Sequence, residues 1–454
     1  MLAVYLSPLY IAVNIWLLFR IQGWLGACHA IFRRRWVRAA VAFGYSLAAS
    51  SMLIAFFLPV GPARRILKVI GNEWLGVMLY LAMAVLAAEG GRILYILVRR
   101  GRREKRATNS EGIDTAQGQP NWQMGVGRSE LSCSRGKRAS EWRMSLEGGT
   151  DVGKKGQMCG SGECAGRRLH AMVGVLCMAV VASICLWGTW NARVIRVTPY
   201  EITVDKDGGK RESLNVVLIA DLHLGYSVGA AQMVRMVERI NEQNADLVVI
   251  AGDIFDNEYE ALEDPEKLAA ILRGIRVRYG VYACYGNHDV EEKLLAGFPF
   301  GGSAKKQSSP EMDAFLDKAG IRLLRDEAVL IDDSVYLYGR PDAQRPGRGI
   351  GTRKTAAELT EGLDSDKPVL VLDHEPGELQ ELAAAGVDVA LCGHTHDGQL
   401  FPGNLVTSLM WENSYGYLKK DGMHTIVTSG VGLFGPCMRV GTIAEICPVR
   451  IRFR

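Results

Sequence analysis

Val216-Val217-Leu218-Ile219-Ala220-Asp221-Leu222-His223 is the stretch that sets the fold. Five apolar residues in a row, three of them β-branched, read as a strand covered on both faces. Two metal-ligand side chains follow at once, and the arrangement recurs downstream. Leu247–Ala251 runs into Gly252-Asp253-Ile254-Phe255-Asp256, and Gly280–Tyr285 into Gly286-Asn287-His288-Asp289. Val369–Leu372 runs into Asp373-His374-Glu375-Pro376, and Val387–Leu391 leads to Gly393-His394-Thr395-His396. Val335–Tyr338 and Thr425–Thr428 read as further strands. Residues 230–243 read as an amphipathic helix with Met233, Val237 and Ile240 on one face, and 265–275 as another. Strands alternating with helices predict an α/β domain over 195–454. In such sheets ligands bind beyond the carboxyl ends of the strands. Five separate stretches thus deliver polar side chains to one sheet edge.

Each motif alone is weak. Asp-x-His is commonly a surface turn, Gly-Asn-His-Asp a plain Asx turn, and a lone His374 a satisfied core histidine. The set is more telling. Of eight histidines in the chain, six follow residue 190, and five of those lie in these motifs. His424 sits apart in a strand-like run and reads as structural. Carboxylate, imidazole and amide donors in this mixture suit manganese, iron, zinc or cobalt.

The ordered set Asp221-x-His223, Gly252-Asp253-x-x-Asp256, Gly286-Asn287-His288-Asp289, His374 and Gly393-His394-x-His396 resembles the calcineurin-like metallophosphoesterases, over about 214–447. Ala220–Gly225, Gly393–Gln399 and Ser429–Leu433 are similar to the bacterial branch with membrane anchors or export signals. The resemblance implies a two-sheet β-sandwich flanked by helices, with two divalent ions at one edge. Asp221, His223 and His396 would hold the first ion, Asn287, His374 and His394 the second, and Asp253 would bridge them. His288 would face the substrate phosphate, with Asp289 orienting its ring. Paired ions about 3.5–4 Å apart clamp the attacking and leaving oxygens and make a hydroxide nucleophile near neutral pH. Two positions depart from the branch. Asp397 stands where it usually has glycine, and Gly339-Arg340-Pro341-Asp342 where it often has an acidic pair. Arg340 is either a phosphate ligand or a surface arginine.

The first half of the chain differs. Residues 1–190 carry 24 Lys/Arg against 10 Asp/Glu, and residues 191–454 carry 29 against 39. The acidic second half argues against a nucleic-acid partner. Apolar runs at 2–19, 39–60, 74–98 and 169–190 approach or exceed the roughly 20 residues that cross a bilayer. They predict an all-α membrane region: three spans within 1–98, a disordered basic cytoplasmic loop over 99–168, and a fourth span over 169–190. Glu89 and Arg92 share a helix face within the third run, either as an intramembrane site or as a tolerated pair near a helix end. Arg33, Arg34, Arg35 and Arg38, and the cluster from Arg99 to Arg106, outweigh Arg64, Arg65 and Lys68 in loop 61–73. By the positive-inside rule the acidic domain is then extracytoplasmic.

Ten cysteines form no CxxC pair. Cys159 and Cys164 match zinc spacing poorly, and Cys437 and Cys447 would be free to pair in an exported domain. Loop 297–310, rich in Gly, Ser and Lys, is a lid or a plain exposed loop. The expected activity is hydrolysis of a phosphomonoester, phosphodiester or pyrophosphate at the membrane surface. The substrate would be a phosphorylated small molecule, a lipid or an envelope precursor. The alternative, an inactive receptor or scaffold, predicts decay at a key position, and every key position is present. The predicted spans hold too few polar residues for a transport pathway.

Overall fold

The computed structural model describes residues 2–114, 161–292, 294–295, 298–299 and 307–454. Four long helices come first: α1 Leu2–Cys28, α2 Arg35–Phe57, α3 Pro62–Asp114 and α4 Ser161–Asn191. Each contains a stretch long and apolar enough to cross a membrane: Ser7–Cys28, Arg35–Phe57, Pro62–Arg102 and Gly166–Asn191. Leu17, Tyr80, Leu81, Val85 and Val181 pack between them. Glu89 pairs with Arg92 on its own helix at 3.6 Å and with Arg20 on α1 at 2.9 Å, so it ties two helices together.

Two expectations change here. Loop 61–73 is instead the start of α3, whose 53 residues extend about 80 Å at 1.5 Å per residue. That far exceeds a bilayer core of about 30 Å. Its first turns dock on the following domain. Arg64 and Lys68 pair with Glu258 at 2.5 and 3.5 Å, Arg65 donates to the Ala261 carbonyl, and all three cations surround the Tyr226 ring. The stretch 99–168, expected to be disordered, is helical where α3 runs on to Asp114 and where α4 begins at Ser161. Residues 115–160, with Cys159, lie outside the described residues, as does most of loop 297–310.

The rest is a sandwich of two mixed sheets. The strands are β1 Ile195–Val197, β2 Tyr200–Val204, β3 Ser213–Ile219, β4 Leu247–Ala251, β5 Val281–Cys284, a short hairpin of β6 Leu294–Leu295 and β7 Phe298–Pro299, β8 Ile321–Leu323, β9 Glu327–Ile331, β10 Val335–Gly339, β11 Val369–Leu372, β12 Val389–Cys392, β13 Gly416–Lys420, β14 Met423–Val427 and β15 Ala444–Phe453. One sheet runs β1-β15-β3-β4-β5-β8, with β2 also on β15, and the other runs β13-β14-β12-β11-β10-β9. Strand period explains the continuous apolar runs. Val216 and Leu218 of β3 face Leu370 and Leu372 of β11 inside the sandwich. Val217 and Ile219 face outward onto helices α5 Ala230–Asn241, α6 Pro265–Arg273 and α7 Pro310–Ala319. Val369 and Val371 likewise face α8 Ala356–Thr360 and α9 Leu379–Ala384. Both faces of each sheet are covered, so alternation is lost. The last helix, α10 Gly403–Met410, follows the His396 motif.

Candidate metal centre

β3, β4, β5, β11 and β12 end side by side, and all seven expected ligands meet beyond their carboxyl ends. Asp221, His223 and His396 each place a ligand atom within 4.8 Å of the others, and so do Asp253, His374 and His394. Asn287 joins the second group. Its Oδ1 lies 3.1 Å from His374 Nε2 and 3.0 Å from His394 Nδ1.

The backbone bends sharply to achieve this. Asp221, His223, Asp253, His394 and His396 all have positive φ, between 44° and 73°. Non-glycine residues rarely adopt that region, and strain of this kind gathers at functional sites. Gly252, at φ 79°, shows how tight the turn is. A Cβ there would sit 2.6 Å from His374 Nδ1.

The donor set fits a cation. His374 Nδ1 donates to the Ala251 carbonyl at 2.8 Å, which leaves the Nε2 lone pair facing the site. That nitrogen meets Asp253 Oδ2 at 3.1 Å and His394 Nδ1 at 3.2 Å. His223 Nε2 and His396 Nε2 are 3.0 Å apart. Electron pairs converge with few hydrogens to separate them, and a positive ion is what such an arrangement lacks. Asp253 sits between the groups. Its Oδ1 accepts the His288 backbone N–H at 2.8 Å, leaving Oδ2 at 3.1 Å from His374 and 3.7 Å from His223. The geometry thus offers the single atom Oδ2 to both groups.

Charge within the cluster follows from burial. Burial opposes ionisation of Asp253, yet the imidazoles around it, His374 foremost, hold its carboxyl well below the usual range. Burial pushes Asp221 up to about 6, against the pull of His374 and with Asp253 adding to the rise. Burial lowers His394 to about 3 and His288 to about 4. The ligand His394 is therefore neutral at physiological pH, the form a metal requires, whereas carboxylates raise His374 and His223 despite their burial, Asp253 foremost at His374 and Asp256 at His223.

Two sequence readings, of Asp289 and Arg340, are corrected. Asp289 does not orient the His288 ring: its two oxygens accept the backbone N–H groups of Phe255 and Gly286, each at 2.8 Å, and so brace two ligand loops. Asn257 holds that ring instead, through Oδ1 on His288 Nδ1. Arg340 is neither a phosphate ligand nor a surface residue. It is fully buried and pairs with Asp373 at 2.7 Å and Glu378 at 2.8 Å. Cys437 and Cys447 are both free thiols. Asp397, in place of glycine, keeps the glycine-like backbone at φ 50°. His424 is structural, bridging Tyr417 Oη and the Thr203 carbonyl.

Other contributors take no role from sequence, whether inside a motif, as Asp256, or outside one, as Arg439 and Phe434. Asp256 Oδ1 stands 3.7 Å from His223 Nδ1, on the far side of the ring from the site. Buried Arg439 binds the carbonyls of His396, Ser429, Gly430 and Gly432, fixing two loops together. Phe434 lies 4.7 Å from His288 and 5.6 Å from His223, ring to ring, and forms an apolar wall. Its loop is clamped by Gln399.

Two mixed sheets flanked by helices, with a donor set suited to divalent ions at their strand ends, define an α/β sandwich with a candidate metal centre. Residues 214–398 match the family model for the calcineurin-like phosphoesterases. An uncharacterized metallophosphoesterase of Aquifex aeolicus is 31% identical over 261 residues, covering 57% of this chain and 92% of that one. The transmembrane proteins with metallophosphoesterase domain of Danio rerio and Bos taurus are 30% and 29% identical, covering 61% and 62% of this chain. This chain spans 62% of the length of each of those two. It belongs to the metallophosphoesterase family.

Proposed function

We propose that the chain is a membrane-anchored hydrolase of phosphate esters that works through two divalent ions. One observation carries this reading: Asp253 Oδ2 lies between two groups of buried lone-pair donors, within 3.7 Å of a nitrogen from each. Asp221, His223 and His396 would hold one ion, and Asn287, His374 and His394 the other. The ions would supply Lewis acidity toward phosphate oxygens and a nucleophile from water at neutral pH.

The chain's own residues do the rest. Asn257 Oδ1 occupies His288 Nδ1, so Nε2 is the ring atom left for substrate. An arriving phosphate anion favours the imidazolium, which then donates from Nε2 to a phosphate oxygen or protonates the leaving oxygen. Asp256 and the Ala251 carbonyl orient the His223 and His374 rings. Asp289 and Arg439 hold the ligand loops in register.

The four apolar helices anchor this domain in a membrane, and the domain lies on the extracytoplasmic side. Arg33, Arg34, Arg35 and Arg38 flank the α1–α2 junction, at the opposite end of α2 from the docked first turns of α3. Arg64 and Lys68 share the carboxylate of Glu258, which offsets part of their charge and weakens them as a competing signal.

The test uses the full chain in lipid nanodiscs with manganese. Chromogenic phosphodiester and phosphomonoester are assayed beside an Asp253→Asn variant. Hydrolysis of either ester, lost in the variant, is expected. No hydrolysis with any divalent metal, or an unaffected variant, overturns the reading. A reporter fused after Arg454 that is active only in the cytoplasm overturns the orientation.

A further inference from the structure

The catalytic domain buries its apolar side chains with one concentrated exception. Among the described residues of 195–454, eight large apolar side chains are exposed, and five of them fall between Phe401 and Met410. Leu409 is 89% exposed and Met410 69%, with Leu405 and Val406 beside them. They belong to α10, whose sequence GNLVTSLM carries no charge. An apolar stripe of this kind on a well-packed domain marks a surface that something covers.

Its attachments identify the cover. The Phe401 N–H donates to the Val440 carbonyl at 2.7 Å, and the Phe401 carbonyl accepts from the Tyr80 hydroxyl of α3 at 3.1 Å. The neighbouring Arg439 N–H donates to the Gly188 carbonyl of α4 at 3.0 Å. Leu400, Met438 and Val440 pack into the same apolar cluster as Leu17, Leu81 and Val181 of the spanning helices. Trp187 and Trp190 flank Gly188 and are exposed, and aromatic residues of this type collect at the membrane–water boundary. α10 therefore starts at that boundary, continuous with the membrane region.

Both ends of α10 also touch the metal centre. The helix begins just past the turn His396–Gly398, and Gly398 packs against Gly403 and Asn404. It ends at Trp411, whose ring packs edge-on to His394 at 5.4 Å.

We propose that α10 inserts its apolar face into the adjoining lipid leaflet, setting the mouth of the metal centre at the bilayer surface, and that the substrate is a phosphate ester carried by a membrane lipid. The substrate half of this proposal rests on the phosphoesterase reading above. In the reaction the P–O bond to the lipid alcohol breaks. Water gives its hydroxyl to phosphorus, and a proton goes to the alcohol. Phe434, beside His288, gives the mouth an apolar wall suited to the lipid side of that bond.

The test uses the full chain in phosphatidylcholine nanodiscs containing either phosphatidic acid or phosphatidylglycerol. An environment-sensitive dye is placed on Leu409→Cys in a background with Cys28, Cys133, Cys159 and Cys164 replaced by serine, and quenching by brominated acyl chains is read. Leu405→Glu and Leu409→Glu are assayed on the lipid esters and on soluble bis(p-nitrophenyl) phosphate. The dye should be quenched. Each glutamate variant should lose at least about tenfold on the lipid ester, from loss of apolar burial, and keep its rate on the soluble ester. An unquenched dye, or glutamate variants as fast as wild type on lipid, overturns the proposal. So does a wild-type dimer that Leu409→Glu dissolves, since a second copy would then be the cover. A quenched dye with neither lipid turned over overturns the substrate half. Wild type inert toward the soluble ester with every metal defeats the phosphoesterase reading instead, and leaves the quenching result to decide insertion separately.

Discussion

Two buried polar clusters meet at consecutive residues, Asp373 and His374, and they are built on opposite rules. Around Asp373, two cations face two anions. Arg340 and Arg353 reach Asp373 at 2.7 and 3.0 Å, and Glu378 at 2.8 and 3.2 Å. That cluster balances its own charge. Around His374, a carboxylate oxygen, an amide oxygen and an imidazole nitrogen all lie within 3.2 Å of the same ring nitrogen. That cluster gathers electron-pair donors and holds no lysine or arginine, and Asp253 and Asp221 raise the His374 imidazole despite its burial. Arg340 and Asp373 are as deeply buried as His374, with Glu378 closing the first cluster at the surface, so the difference lies in what each still needs. The first is complete and structural. The second is the one our proposal completes with metal.

The largest effect should come from removing the charge shared by both halves of the open cluster. Asp253→Asn should cut phosphoester hydrolysis on the order of a thousandfold or more, with the far-ultraviolet circular dichroism spectrum unchanged. Breaking the closed cluster should do the reverse. Asp373→Asn strands two buried guanidinium groups and should cost about 3–5 kcal/mol of stability, measured by thermal unfolding with and without metal. An Asp373→Asn loss that metal restores would erase the distinction between the clusters.

A smaller effect is expected where a neutral side chain orients a catalytic one. Asn257→Ala should lower kcat about 10–100-fold, the range seen for outer partners of a site, with metal content unchanged. Lost metal would instead make Asn257 part of the open cluster. Stripping metal with a chelator should lower the unfolding temperature of wild type, because an ion that binds only the folded state stabilises it. The same treatment should leave the unfolding temperature of Asp253→Asn less affected. Smallest of all is an exposed pair. Lys420–Glu412 spans 2.6 Å in solvent, and Glu412→Gln should change stability by less than about 1 kcal/mol.

The open cluster was legible in the sequence and the closed one was not. Each ligand follows directly on a continuous apolar strand, so strand and motif are read together as one local pattern. The closed cluster draws Arg340, Arg353, Asp373 and Glu378 from separate segments, and only the fold reveals that they neutralise one another. Arg340 therefore looked like a surface or phosphate-binding residue. The ring partner of His288 was misread for a similar reason. Asp289 is its chain neighbour, but the turn aims that carboxylate at backbone amides, and Asn257 arrives from the neighbouring loop. β15 escaped notice because Pro448, Arg450 and Arg452 interrupt its apolar pattern, although it pairs with β1, β2 and β3. The start of α3 read as a loop because Glu258, which pairs with its basic residues, lies in the docked domain, distant in sequence.

Counting metal tests the central claim most directly. The purified full chain, loaded with manganese, iron, zinc or cobalt in turn and desalted, should retain two ions per chain by elemental analysis. Asp253→Asn should retain fewer, and hydrolysis should rise with occupancy of the second ion. No bound ion with any of the four metals, or full activity at one ion per chain, would contradict it.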